Sequence, residues 1–152
     1  MKYFFTILFI GIIVSAYIIS KLDNTDIEPL PIKLEQPEFF LEDTPSIELV
    51  LQACEYYNIK HSGIVVSQAI LETGHFKSEN CIKGNNLFGL YNSKKKEFFK
   101  FNHWTESVKA YRDMIQYRYT EGDYYQWLEK IGYAEDSLYA QKLVNIKKRY
   151  SL

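Results

Sequence analysis

The run from Ser62 to Gly74, SGIVVSQAILETG, constrains this chain more than any other stretch. Ile64, Val65, Ala69 and Ile70 keep helical spacing, yet the segment has almost no polar side. The pattern predicts a helix capped by Ser62, closed by Gly74 and surrounded by protein on most sides. Glu72 then falls in the last helical turn, where the negative end of the helix disfavours a carboxylate by roughly 0.3–1 kcal/mol. Partial burial pushes the same way, toward a carboxylic acid that keeps its proton near neutral pH, as a general acid must. Taken alone, a helix-end glutamate reads first as a surface residue, since glutamate is rarely fully buried.

At 152 residues and 47% hydrophobic, the chain suits one folded domain. It begins with an uncharged apolar run, Tyr3 to Ser20, bounded by Lys2 and Lys21. Eighteen such residues reach the short end of the roughly 17–25 needed for a membrane helix. Both an uncleaved anchor and a secretory signal ending near Val14-Ser15-Ala16 fit, and either exports the remainder. From Leu22 to Asp43, Pro29, Pro31 and Pro37 alternate with acids, which predicts an extended linker. The expected division is therefore 1–21 membrane segment, 22–43 linker and 44–152 domain.

Charge is unevenly placed. Residues 23–43 hold seven acids and one Lys, a net −6, whereas 44–152 hold fifteen Lys and Arg against twelve acids, a net +3. A mildly basic domain can approach an anionic polymer such as a cell wall. That balance is far from a nucleic-acid binder's, and no nucleic-acid partner is expected.

The domain reads as mainly helical. Pro45 and Ser46 open a first amphipathic helix, with Ile47, Val50, Leu51 and Cys54 on one side, to about Tyr57, and Asn58 ends it. After Gly74 a polar loop leads to Asn86; Leu87–Asn92 and Glu97–Phe101 then suggest a small hairpin with Lys94-Lys95-Lys96 at its tip. A third long helix is expected from Ser107 to about Thr120, with Tyr111 and Tyr117 at core spacing. A short one follows from Tyr124 to Ile131, and a last one, capped by Asp136 or Ser137, runs to Tyr150.

Several constellations invite chemistry that the pattern does not sustain. Glu72 and His75 have a metal-binding spacing, but Gly74 interrupts the helix and only His61 and His103 remain, so neither metal nor cofactor is expected. Cys54 lies on an apolar stripe, where a small buried residue is the usual explanation. In an exported domain a Cys54–Cys81 disulfide is compatible with the sequence. The lysine run reads as a solvated edge that discourages strand addition.

Four ordered motifs carry a resemblance: Ser67-Gln68-Ala69-Ile70-Leu71-Glu72-Thr73-Gly74; Asn85-Asn86-Leu87-Phe88-Gly89; Trp104-Thr105-Glu106-Ser107; and Gly132-Tyr133-Ala134 followed by Asp136 and Tyr139. Together the segment from about Ser46 to Tyr150 resembles the bacterial glucosaminidase domain of glycoside hydrolase family 73, found in flagellar muramidases and autolysins. The resemblance implies a lysozyme-like fold and cleavage of the β-1,4 bond between N-acetylglucosamine and N-acetylmuramic acid in peptidoglycan strands. It implies Glu72 as catalytic acid, Asn85 and Asn86 with Phe88 and Tyr91 along the cleft, and Tyr133 near the scissile sugar. Family members carry a second glutamate in a longer hairpin; here Glu97 is the hairpin's sole carboxylate and hence the candidate base. Without such a base, the substrate's own 2-acetamido oxygen can attack, with Tyr133 orienting the ring. The alternatives are a wall-binding module without turnover, a muramidase or lytic transglycosylase, and an amidase acting on the same polymer.

Overall fold

The computed structural model describes residues 37–152, so the predicted membrane segment and most of the linker lie outside the described residues. None of the described helices is long and apolar enough to cross a membrane. Among the described residues there are six α-helices and one two-stranded antiparallel hairpin. In chain order these are α1 (Ile47–Tyr56), α2 (Ser62–Thr73), α3 (Glu79–Gly84), β1 (Tyr91–Asn92), β2 (Glu97–Phe98), α4 (Trp104–Met114), α5 (Tyr124–Lys130) and α6 (Tyr139–Tyr150).

Helix α2 is the centre. Every residue from Ile64 to Ile70 is buried, including Ser67 and Gln68, and the helix packs against both α1 and α6. Ser46 caps α1 by accepting from Leu49 N at 3.2 Å. Asn58 leaves that helix in the left-handed region (φ 55°), a conformation that Asn tolerates. Ser62, in contrast, is not a cap. His61 precedes α2 at φ 56° with no capping hydrogen bond, its ring held by the Tyr119 hydroxyl at 2.9 Å.

Several element boundaries differ from the pattern, each for a local reason. The loop after Gly74 contains α3, capped by Ser78 and closed by a left-handed Asn85; six residues are too few for helical periodicity to show. The hairpin is only two residues deep on each side, with Tyr91 opposite Phe98 and Asn92 opposite Glu97. Helix α4 starts earlier and stops sooner than its spacing suggests, because Glu106 Oε2 accepts from Asn102 N at 3.1 Å and Ile115 departs from helical geometry (φ −110°). The following 3-10 turn, Gln116–Arg118, carries Gln116 into the core and leaves Tyr117 70% exposed, so Tyr111 is a core residue and Tyr117 is not.

The folded unit also reaches back into the stretch read as linker. Phe39, in a 3-10 turn at Glu38–Phe40, is buried beside Tyr56, and the Glu42 carbonyl accepts from Trp104 Nε1 at 2.7 Å and His103 Nε2 at 3.0 Å. The two cysteines do not form a disulfide: Cys54 and Cys81 are both buried free thiols. Burial pushes the Cys54 thiol up to about 12, which removes it as a nucleophile at neutral pH.

Candidate active site

The end of α2 is built to stop one residue past Glu72. Gly74, His75 and Phe76 have φ of 57°, 64° and 63°, a left-handed run that no helix continues through. Thr73 holds it: its hydroxyl donates to Ala69 O at 2.6 Å and accepts from Phe76 N at 2.7 Å. His75 is thereby turned outward to the Tyr150 hydroxyl at 2.8 Å and does not join Glu72 in a ligand pair.

Facing that helix end is the loop Asn85–Leu90, shaped by its two asparagines. Asn85 donates to the carbonyls of Phe101 and Asn102, both at 3.1 Å. Asn86, 1% exposed, donates to Leu90 O at 2.9 Å and Phe99 O at 3.0 Å and accepts from Leu90 N at 3.0 Å. Ser107 accepts from Leu87 N at 3.3 Å and donates to Trp104 O at 2.7 Å, which fastens the loop to α4. These bonds aim Gly89 at Glu72. The φ of 61° at Gly89 favours glycine, while a Cβ there would meet Glu72 Oε2 at 3.7 Å, an ordinary contact.

Between helix end and loop lies a cavity of about 260 Å³, lined by Glu72, Phe88, Gly89, Tyr91, Arg118 and Tyr133 among others. Glu72 opens into this space and is exposed by area, yet the surrounding walls strip water from its carboxyl. Burial therefore raises its pKa above the usual carboxylate value, partly offset by a hydrogen bond from Tyr139. Tyr133, half-buried, donates to Phe88 O at 3.2 Å; burial and the Glu72 charge hold its phenol well above the normal range.

Behind Glu72 runs a buried chain of hydrogen bonds with a single direction. The Tyr139 hydroxyl donates to Glu72 Oε1 at 2.8 Å, and Gln68 Nε2 donates to Tyr139 at 3.2 Å. Tyr111 donates to Gln68 Oε1 at 2.7 Å. Its one proton thus committed, Tyr111 accepts from Tyr124 at 2.9 Å, and Tyr124 accepts from Gln116 Nε2 at 2.9 Å. Gln116 is itself oriented by the Lys60 backbone, accepting from its N and donating to its O, both at 2.8 Å. From Gln116 through Tyr124, Tyr111, Gln68 and Tyr139, each link of the chain donates toward the carboxyl, so Oε1 is a standing acceptor and the proton of the neutral acid belongs on Oε2, on the Gly89 side.

Of the residues singled out in the sequence, Glu72, Phe88, Tyr91 and Tyr133 share the cavity. Asn85 and Asn86 do not line it; their amides bind backbone. Glu97 is exposed on β2 opposite Asn92 and is likewise outside it. Two residues behind Glu72, Tyr139 and Gln68, stand in the quoted motifs but receive no role from the sequence. A glutamine inside an otherwise apolar buried helix was the available signal, since such a group must find partners.

The family model described as Glucosaminidase, mannosyl-glycoprotein endo-beta-N-acetylglucosaminidase, matches residues 47–152. Among solved structures the chain is similar to the catalytic domain of the autolysin Auto from Listeria monocytogenes, with 22% identity over 72% of this chain and 88% of that one and a TM-score of 0.48. No curated protein matches the chain.

Proposed function

The chain belongs to the mannosyl-glycoprotein endo-beta-N-acetylglucosaminidase family, and is thus a glycoside hydrolase; from that premise we propose that it cleaves peptidoglycan strands at the β-1,4 bond between N-acetylglucosamine and N-acetylmuramic acid, with Glu72 as general acid. The observation that carries this reading is the pairing of a raised carboxyl pKa with a cavity that Glu72 lines. The arrangement is lysozyme-like in the sense that matters for chemistry: a helix-borne acid faces a cleft. Because the polymer lies outside the cytoplasmic membrane, the activity needs an exported domain, which the uncharged run Tyr3–Ser20 supports.

In the reaction we envisage, the Glu72 proton passes to the glycosidic oxygen as the bond from that oxygen to the anomeric carbon breaks. The carbonyl oxygen of the 2-acetamido group bonds to the anomeric carbon in its place. Water then adds there, gives its proton to the Glu72 carboxylate and releases the acetamido group, with configuration retained. This route is favoured because no carboxyl besides Glu72 lines the cavity among the described residues, whereas inverting hydrolysis needs a second one about 6.5–9.5 Å away. Glu97→Gln should accordingly keep turnover within about twofold of wild type, the scale of a neutral surface change. A collapse as deep as that of a Glu72 variant would instead establish Glu97 as the base.

Digestion of purified sacculi followed by mass spectrometry of the new ends tests the bond. Reducing N-acetylglucosamine is the expected product. Reducing muramic acid would identify a muramidase, an anhydromuramic end a lytic transglycosylase, released stem peptides an amidase, and intact strands a binding module.

Tyr139 supplies a pH test. Its hydrogen bond lowers the Glu72 pKa against the larger effect of burial, so Tyr139→Phe raises that pKa further. A general acid works while protonated, and the alkaline limb of the activity profile should therefore shift to higher pH. The variant also leaves the Gln68 amide short of an acceptor, a loss of about 1–3 kcal/mol in denaturant unfolding. An unmoved alkaline limb would separate that limb from Glu72.

A further inference from the structure

A second cavity, of about 450 Å³, adjoins the first: Arg118 and Ile131 line both. Together the two fall within the roughly 300–1,000 Å³ of ordinary ligand sites, whereas the first alone falls short. The second contains Trp127, half-buried on α5, whose indole packs on Tyr124 and Tyr119 with ring centroids 4.9 and 5.2 Å away. An indole held by two tyrosines with its remaining surface open is a rigid platform for the apolar face of a sugar ring.

Arg118 stands at the junction. Its guanidinium carbon lies 5.7 Å from the centroid of the Tyr117 ring, and it belongs to none of the ion pairs among the described residues. Nearby Arg112, by comparison, is engaged by Asp113 at 2.7 Å. The second cavity also holds Lys130, Glu121 and Asp123, and the Asp123 carboxylate accepts from Gln126 N at 2.9 Å. On the first-cavity side Glu72 is the sole carboxyl. Arg118 therefore lines both cavities without an ion-pair partner among the described residues, and its planar guanidinium has the fork that matches a carboxylate.

Resting on the function proposed above, we propose that Arg118 is the residue by which this cleft selects a charged strand: it pairs with a carboxylate borne by the muramic-acid substituent, while the cavity of Trp127 takes the sugar carrying it. The carboxylate has two sources, the lactyl group itself when free and the stem peptide when attached. N-acetylglucosamine polymers have neither, and for them Arg118 contributes only a wall.

The test compares wild type with Arg118→Ala on three substrates: stem-bearing strands, strands stripped of peptide, and N-acetylglucosamine oligomers. Arg118→Ala should lower the preference for charged strands over the neutral oligomer by about tenfold, the weight of a charge-assisted pair, mainly through KM. Arg118→Lys should recover only part of it. A larger effect on stem-bearing strands assigns the peptide as the source, a larger effect on stripped strands, where the lactyl carboxylate is free, assigns the lactyl group, and equal effects on both mean that either carboxylate serves. Equal losses on all three substrates, or no loss, would overturn the proposal. If wild type cleaves none of them, the functional reading fails by itself, and retention of Glu72→Gln protein on charged strands with and without Arg118→Ala decides the matter. Weaker retention without the arginine upholds the pairing and equal retention refutes it.

Discussion

Glu72→Gln is expected to lower turnover of peptidoglycan by about 10³-fold, within the roughly 10²–10⁴ that a general acid contributes, while leaving a well-folded protein. Glutamine keeps an oxygen for the Tyr139 hydroxyl to donate to but carries no transferable proton. The same substitution makes a prediction about stability whose sign follows from burial. Because the folded pKa of Glu72 is raised, the folded state holds the proton more tightly than the unfolded chain. The stability linked to this group is complete below the unfolded value of about 4.3 and is lost as pH rises through the folded one. Glutamine is neutral throughout, so Glu72→Gln should melt at a higher temperature than wild type at pH 7, with the gap closing as pH falls toward about 4. A variant less stable than wild type at neutral pH would mean that the carboxylate is stabilised where it sits. That outcome would remove the physical ground for assigning the acid role.

Asn86→Ala should have the second large effect, and it should act on the fold. The substitution leaves Leu90 O, Leu90 N and Phe99 O without their side-chain partner, and Leu90 is buried. Leu90 O keeps its bond from Phe99 N at 2.9 Å, so Leu90 N and Phe99 O are the groups left unpaired; at about 1–3 kcal/mol for each, a loss of about 2–6 kcal/mol is expected in urea unfolding. Activity should fall along with it, since the loop that sets Gly89 against Glu72 loses its brace. Asn86→Asp removes both donated bonds and should also be destabilising. If Asn86→Ala unfolds like wild type and merely binds strands more weakly, the amide faces substrate and the structural role assigned to it is wrong.

The asparagine pair illustrates how far a motif can be read. Its presence beside Leu87-Phe88-Gly89 singles out a loop of which Phe88, Gly89 and Leu90 line the cavity, but which side chains face that space depends on where each one turns. Here the amides turn inward to backbone and leave Phe88, Gly89 and Tyr91 at the surface of the cavity. Glu97 shows the converse. Its identity as the hairpin's one carboxylate is a sequence fact, yet it is the folded position of the short hairpin, with Glu97 exposed opposite Asn92, that leaves it outside the cavity. Arg118 had no signature at all, because the break in α4 at Ile115 rather than any local pattern brings it to the cleft.

The sequence by itself determined the helical class, the burial of α2, the end of that helix at Gly74 and the location of Glu72 in its final turn. Those features depend on spacing and on the conformational preference of single residues, which are local properties. Only the tertiary structure decided what surrounds Glu72: the hydroxyl of Tyr139 sixty-seven positions away, the buried donors behind it, and the arginine across the cavity. The reason is physical. A carboxyl pKa is set by the water it loses and the partners it gains within a few ångströms, and those are contributed by helices that meet only when the core closes.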